Sequence, residues 1–301
     1  MENKNNINFK LNIIKSPIDN RDWIIKNNNL RFPLSLDYRV QLQPVRNQGS
    51  QGTCYAQSAA CMKEWQEKKD YGFDYYFSPQ FFYNHRFNNY DQNENNDEGM
   101  FGRDVMKLLM TIGICSEQQY PYGRIESKDD IDIQIKQEAL QHRIKNFARI
   151  ETIDSLKYSL YQNGPCLIAF PVYNYGMEMW KPQYDNQPTS GGHAMTVVGY
   201  TADSFIVRNS WGYHWGDKGY CYYKFEDWGS HWEIWTTVDE KTELKNSNSD
   251  DNLDTNNLEL DDVELNDDSK HQQDSYYQKT KDLIFYIYTF LVYFVPKLFC
   301  K

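Results

Sequence analysis

Apolar and polar positions fall into two textures along the body of this chain. Over 54–70 the run CYAQSAACMKEWQEKKD sets Ala56, Ala59, Ala60, Met62 and Trp65 at mainly helical spacing, with charges on the other side and Gly72 as a stop. The pattern predicts a helix opened by Cys54. Two further helices are predicted, one over 103–111 (RDVMKLLMT) ended by Gly113 and one over 153–162 ended by Gly164 and Pro165. After Pro165 the texture changes to short β-rich runs, CLIAFPVY, HAMTVVGY, SFIVRNSW and YCYYKF, separated by Gly, Asp and Asn clusters as antiparallel strands are. Helices first and strands second predict an α+β fold of two lobes, one helical and one β, with a cleft between them where residues from both meet.

The flanks differ from this body. Residues 1–31 are polar and Asn-rich and read as an arm lying on the surface, and the compact part runs from about Phe32 to Val238. The segment 239–281 is acidic and poor in aromatics, the composition of a disordered linker. It leads into 282–301, where thirteen mostly apolar residues run unbroken from Leu283 to Val295 before Pro296 and Lys297. A helix of that length reaches roughly 20 Å against about 30 Å of bilayer hydrocarbon, and Leu298 and Phe299 narrow the gap. The stretch 283–300 is read as a membrane tail, with Cys300 open to acylation; the alternative is a helix packed on protein.

Composition changes the picture in two places. The formal charge of -10 resides in 239–268, which holds twelve acids and two lysines, leaving 30 of each sign elsewhere. A neutral body lacks the clustered Lys and Arg that phosphate binding needs, so nucleic acid is excluded as the main partner. The six cysteines, Cys54, Cys61, Cys115, Cys166, Cys221 and Cys300, are even in number, but the start MENKNNINFKLNIIKSP has neither the apolar core nor the cleavage site of a signal peptide. The expectation is therefore reduced thiols, at the cytosolic face of a membrane or, without the tail, in the soluble cytoplasm. No CxxC spacing occurs, so no metal and no cofactor is predicted, and Cys61, Cys115, Cys166 and Cys221 read as structural. Glu64 and Glu67, i and i+3 on the first helix, read as a solvated face.

Amide hydrolysis by a thiol needs a thiolate, a group that carries protons, and donors aimed at the oxyanion. A Cys at a helix N-terminus has a lowered pKa, because backbone amides and the macrodipole favour negative charge there. The stretch PVRNQGSQGTCYAQS resembles the nucleophile segment of papain-like cysteine peptidases. The resemblance implies Cys54 as nucleophile, Gln48 as the side-chain donor of the oxyanion hole rather than Gln51, and Gly52 as a point where substrate backbone comes close. In SGGHAMTVVGY, His193 follows Gly191 and Gly192 and leads a predicted strand, 139 residues after Cys54, within the range of about 130 to 150 that the family signature expects. In FIVRNSWGYHWGDKGY, Asn209 matches the residue that orients the imidazole, Trp211 the indole that shields that bond, and Trp215 completes an aromatic wall. The resemblance extends more weakly over 16–238.

Departures from the family pattern point to a subgroup. Gln51 and Met100 stand where many lysosomal relatives have paired half-cystines, Tyr55 replaces a Trp, and Gln57 stands where an aromatic is commoner. The segments SPIDNRDW and EGMFGRDVMKLL resemble the prokaryotic-type papain-like group, and no long helical prosegment precedes the domain; an arm folded across the cleft is one route to latency. The implied activity is endopeptidase cleavage of a peptide or protein substrate through a Cys54 thiolate and His193 imidazolium pair and an acyl-enzyme, with an apolar side chain preferred next to the cleaved residue. A catalytically silent peptide-binding module and a thiol acyltransferase with the same site are the alternatives.

Overall fold

The structure, a computed structural model, describes residues 9–25, 31–86 and 99–238. A helical lobe comes first, built on α1 (Cys54–Tyr71), α2 (Pro79–Asn84) and α3 (Gly102–Thr111), after a short strand β1 (Leu36–Asp37). The chain then passes through α4 (Ile133–Gln141), β2 (Asn146–Arg149) and α5 (Ile153–Asn163) into β3 (Cys166–Pro171), β4 (Gly192–Tyr200), β5 (Ser204–Arg208), β6 (Tyr220–Lys224) and β7 (Glu233–Val238). The strands form one antiparallel sheet in the order β2-β7-β3-β4-β5-β6, with β1 added beside β4. This is the papain-like two-lobe α+β architecture expected. The three predicted helices lie within a residue of their expected bounds, because Gly72 and Gly164 take positive φ at the ends of α1 and α5. The four β-rich runs form β3 to β6; β3, β4 and β5 are buried throughout, which explains their nearly unbroken apolar texture.

Helix α1 departs from the amphipathic reading. Fourteen of its 18 residues, from Cys54 to Glu67, are buried, including Lys63, Glu64, Gln66 and Glu67. The solvated face expected at Glu64 and Glu67 is therefore corrected: Glu64 Oε1 takes Arg46 Nη2 at 2.7 Å, and Glu67 takes Lys63 Nζ at 2.9 Å and His142 Nδ1 at 3.0 Å. The helix lies between α2, α3 and the strands β3 and β4, so it has no side left for solvent over nearly four turns. Charged residues then need partners, which come from the helix itself, Lys63 with Glu67, and from outside it, Arg46 and His142.

The described part of the arm, 9–25, runs along the surface and is pinned to it: Ile13 and Ser16 are buried, Asn12 bridges Gly192 in parallel, and Ile14 bridges Phe101. Its return leg is fastened by a bidentate ion pair, Arg103 Nε and Nη2 to Asp22 at 2.7 and 2.6 Å, and by Ser16, whose Oγ accepts from Arg103 N and whose N–H faces the Glu233 carboxylate.

The membrane tail is withdrawn. Among the described residues no helix is long and apolar enough to cross a membrane, and 239–301, on which the linker and tail expectations fall, lie outside the described residues. The thirteen-residue run falls about 10 Å short of a hydrocarbon core, which is the physical reason against a spanning role. Membrane association and placement at a cytosolic membrane face fall with it.

The buried triad on α1 yields a stability test. Glu67→Gln removes an ion pair of the fully buried Lys63 ammonium and the carboxylate facing His142 and is expected to cost about 3 kcal/mol in urea unfolding; a loss under about 1 kcal/mol would mean that the other neighbours of Lys63 suffice for its charge.

Candidate active site

The site is assembled where α1 begins and β4 begins. α1 packs along β4, which places Cys54, the first helical residue, and His193, the second strand residue, on facing elements. Both side chains are fully buried. Thr53 precedes the helix; its hydroxyl donates to Tyr122 Oη at 2.8 Å, and Tyr122 in turn donates to the Gln48 carbonyl at 2.8 Å. The loop carrying Gln48 and Gly52 is thus held to the helix start by a tyrosine that sequence reasoning passed over.

The amide of Asn209 sets the imidazole. Asn209 Oδ1 accepts from Ser210 N at 2.7 Å, which identifies it as the oxygen, so the 2.7 Å contact to His193 requires Nε2 to carry the proton. His193 Nδ1 is left with its lone pair and has no hydrogen-bond partner among the described residues. Trp211 stacks on the imidazole at 4.4 Å between centroids and 29° between planes, covering the bond to Asn209, and Trp215 meets Trp211 edge-on. Ser210 Oγ donates to Gln48 Oε1 at 2.6 Å and Gln48 N donates to Ser210 O at 2.8 Å; Gln48 Nε2 faces the Gln51 carbonyl at 3.0 Å. Ser210 therefore fixes both amides, Asn209 through its backbone and Gln48 through its hydroxyl. Its position between Asn209 and Trp211 was the available signal.

The arm runs through this site. Phe9 stacks on Trp211 at 4.5 Å and 9°. Leu11 O accepts from Gly192 N, and a Cβ at Gly52 would come within 2.5 Å of the Asn12 amide. Ile13 packs against Gly192 and belongs to the same apolar cluster as Cys54, Met100 and Ala194, with Trp232 beside it. Gly52, Gly192 and Trp211, the three residues expected to receive substrate backbone and shield the imidazole, all contact this strap. The signal for it stands in the sequence: Phe9, Leu11 and Ile13 alternate with polar residues at the period of an extended strand.

Burial governs the electrostatics. Desolvation pushes the His193 imidazole down to about 4, with the Asn209 hydrogen bond opposing it only in part. Burial raises the thiols of Cys61, Cys115, Cys166 and Cys221, so these four are neutral packing groups. All five cysteines among the described residues are free thiols.

A family model described as "Papain family cysteine protease" matches residues 32–237. An uncharacterized peptidase C1-like protein of Acanthamoeba polyphaga mimivirus is 30% identical over 58% of this chain and 62% of its own length. Cathepsin S of Bos taurus is 28% identical over 64% of this chain and 60% of its own. The chain thus spans about three fifths of the length of these curated relatives. Among solved structures, xylellain, a cysteine protease from Xylella fastidiosa, superposes with a TM-score of 0.63 at 24% identity, covering 75% of this chain and 94% of that one. A digestive procathepsin L 3 from Tenebrio molitor larval midgut gives 0.59 at 19% identity, over 73% and 74%; at these identities the likeness speaks for the fold. With the family model covering two thirds of the sequence and the fold agreeing, the chain belongs to the papain family of cysteine proteases.

Proposed function

We propose that the chain is a cysteine endopeptidase held latent by its own N-terminal strap, with residues 32–238 as the catalytic unit. The observation that carries the reading is the 2.7 Å bond from His193 Nε2 to Asn209 Oδ1, which leaves Nδ1 as the base. In the mechanism, His193 Nδ1 takes the Cys54 proton, and the thiolate, favoured by the α1 N-terminus, attacks the substrate carbonyl. The oxyanion is held by Gln48 Nε2 and the Cys54 N–H, His193 protonates the leaving amine, and a water activated by the same imidazole releases the acid. Gly52 and Gly192 offer the substrate their backbone, and Trp211 keeps water off the Asn209 bond. The free thiols and the likeness to xylellain support placement in the prokaryotic-type subgroup without the usual disulfides.

Latency follows from the strap. Substrate cannot reach a fully buried Cys54 while residues 9–14 occupy the cleft. A second reading has an observation in its favour: the cleft demonstrably accommodates an extended peptide, as a silent peptide-binding module would. Thiol acyl transfer by the same residues is a third outcome, recognised by product formation with an added amine acceptor.

Labelling with a peptidyl epoxide separates these. The full chain is expected to label slowly, and removal of 1–31 or Ile13→Asp to raise the rate on Cys54 at least tenfold, with no labelling in Cys54→Ala or His193→Ala; an unlabelled strap-free chain would leave only the binding module.

Ile13 packs in one apolar cluster with Met100 and Ala194, against which Trp232 lies. A strap-free chain should therefore cleave Phe-Arg amides faster than Arg-Arg amides by tenfold or more, and the reverse order would overturn the apolar preference.

The strap also makes latency depend on pH. The folded imidazole near 4 lies below the 6.5 of an exposed histidine, so acid drives protons onto states that hydrate His193. The associated stability is fully present above pH 6.5 and is lost as pH falls from 6.5 through 4, about 3 kcal/mol at the limit. The strap reaches the ring through Trp211, on which Phe9 stacks. Hydrogen exchange of residues 9–16, corrected for the intrinsic rate, is expected to lose protection between pH 6.5 and 4.5, and to lose this dependence in His193→Gln; a flat profile in the unsubstituted chain would rule the link out.

A further inference from the structure

The two donors that would hold the oxyanion, Gln48 Nε2 and the Cys54 N–H, stand at opposite ends of the loop 49–53. Gly49 takes a φ of 60° in this loop and Gly52 is its second glycine, so its own backbone does little to fix the gap between the donors. The gap is set from outside. Tyr122 Oη donates to the Gln48 carbonyl at 2.8 Å and accepts from Thr53 Oγ1 at 2.8 Å, so that one phenol oxygen spans the loop from end to end. Thr53 supplies the carbonyl side of the peptide bond whose N–H is that of Cys54.

The phenol is a fixed point. Tyr122 is half-buried and follows Tyr120, which is fully buried and whose Oη accepts from Asn84 Nδ2 at 2.7 Å and donates to Glu126 Oε1 at 2.9 Å. On its other side Gly123 N donates to Gln80 Oε1 at 3.1 Å. The backbone flanking Tyr122 is thereby tied to α2 and not to the loop that the phenol holds. Gln57 Nε2 lies 3.5 Å from Thr53 Oγ1 and carries the chain of donors one turn into α1. Donation runs one way, from Gln57 through Thr53 and Tyr122 to the Gln48 carbonyl, and bonds in such a chain polarise one another. Gln48 is held from the β lobe as well, its N–H donating to Ser210 O and its Oε1 accepting from Ser210 Oγ. Its Nε2 gives one proton to Gln51 O at 3.0 Å, which leaves the second for an oxyanion.

We propose that Tyr122 is a positioning residue for the oxyanion hole, its hydroxyl setting the distance between Gln48 Nε2 and the Cys54 N–H. It touches neither substrate nor the reacting atoms and acts through the Gln48 carbonyl and the Thr53 hydroxyl. The effect on rate rests on the peptidase reading, whereas the hold on the loop rests on the geometry alone. Removing one oxyanion donor costs about a hundred- to a thousandfold in kcat, so slackening the pair while both remain is expected to cost less, about tenfold.

The test uses the full chain with Ile13→Asp, with and without Tyr122→Phe, which keeps the ring and removes only the hydroxyl. On a peptide amide kcat is expected to fall about tenfold with KM unchanged within about twofold. Alkylation of Cys54 by a peptidyl epoxide is expected to keep its rate, because opening an epoxide forms no tetrahedral carbonyl adduct. The pH profile keeps its shape, since the phenol does not bond to His193. Thr53→Val cuts the same bridge from its other end, and adding it to Tyr122→Phe is expected to lower kcat by less than about twofold further. Hydrogen exchange is the readout that needs no turnover: the amides of 49–54 are expected to exchange about tenfold faster in Tyr122→Phe, with those of α5 unchanged. If Ile13→Asp alone cleaves nothing, the peptidase reading fails by itself, and exchange over 49–54 still decides whether the phenol holds the loop. Unchanged exchange over 49–54, an unchanged kcat, or kcat and alkylation falling in step overturns the proposal.

Discussion

The burial of α1 on every side over its first fourteen residues is the constraint from which the rest of this structure follows. A helix in that position cannot leave a polar side chain to solvent, and this one carries several. Tyr55 donates to Glu233 at 2.6 Å, Glu64 takes Arg46, Gln66 donates to Thr237 at 2.7 Å, and Lys63, Glu67 and His142 satisfy one another. These bonds draw onto the helix the loop before it, the segment around His142 and, twice, the last strand. The same burial fixes the direction of the helix N-terminus at β4, and with it the relation between Cys54 and His193. Fold and site are thus consequences of one packing problem.

The strap extends that logic to the cleft. Cys54 and His193 are fully buried beneath a cleft whose Gly52, Gly192 and Trp211 all meet the strap, and drying an imidazole opposes its charge. A thiolate and imidazolium pair is stabilised by mutual attraction but needs some solvation of both partners. Covering the cleft therefore acts twice, excluding substrate and disfavouring the ionised pair. The side-chain anchors of the strap lie away from the cleft, at Ser16 with Glu233 and at Asp22 with Arg103, while the segment at the cleft is held by the bond from Gly192 N to Leu11 O, by the bridge of Asn12 with Gly192 and by apolar contacts. Opening the cover breaks these links to the first residue of β4.

How much of this was legible in the sequence depends on the range of the interaction involved. Glycines at helix ends and unbroken apolar strands are local signals, and they located α1, α3, α5 and β3 to β6. Helix α2 escaped because six residues, PQFFYN, are too few for a period, although Ser78, which caps it, and Pro79 at its first turn were the available marks. Strands β2 and β7 pair over a long separation, Asn146 with Val238, and carried no comparable local texture. The solvated reading of Glu64 and Glu67 failed for the same reason: their partners Arg46 and His142 lie outside any window that reports helical spacing. Gln48, His193 and Asn209 could be singled out through motifs, whereas Ser210 and Tyr122, which join them, have meaning only in three dimensions.

Arg208 extends the contrast between local and distant partners. As the fifth residue of a buried strand it reads, by position, as a packing residue, and its neighbour Asn209 draws attention away from it. Yet a guanidinium cannot shed its charge as a buried lysine or histidine can. Arg46 and Arg208 together stand against Glu64 and Glu117, and Glu64, whose Oε1 takes Arg46, also favours the charge of Arg208. One carboxylate on α1 thus serves two cations, one from the loop before the helix and one from the end of β5. The network behind Asn209 is a charge-balanced tie between the helix that carries Cys54 and the strand that leads to Asn209, and no window along the sequence reports it.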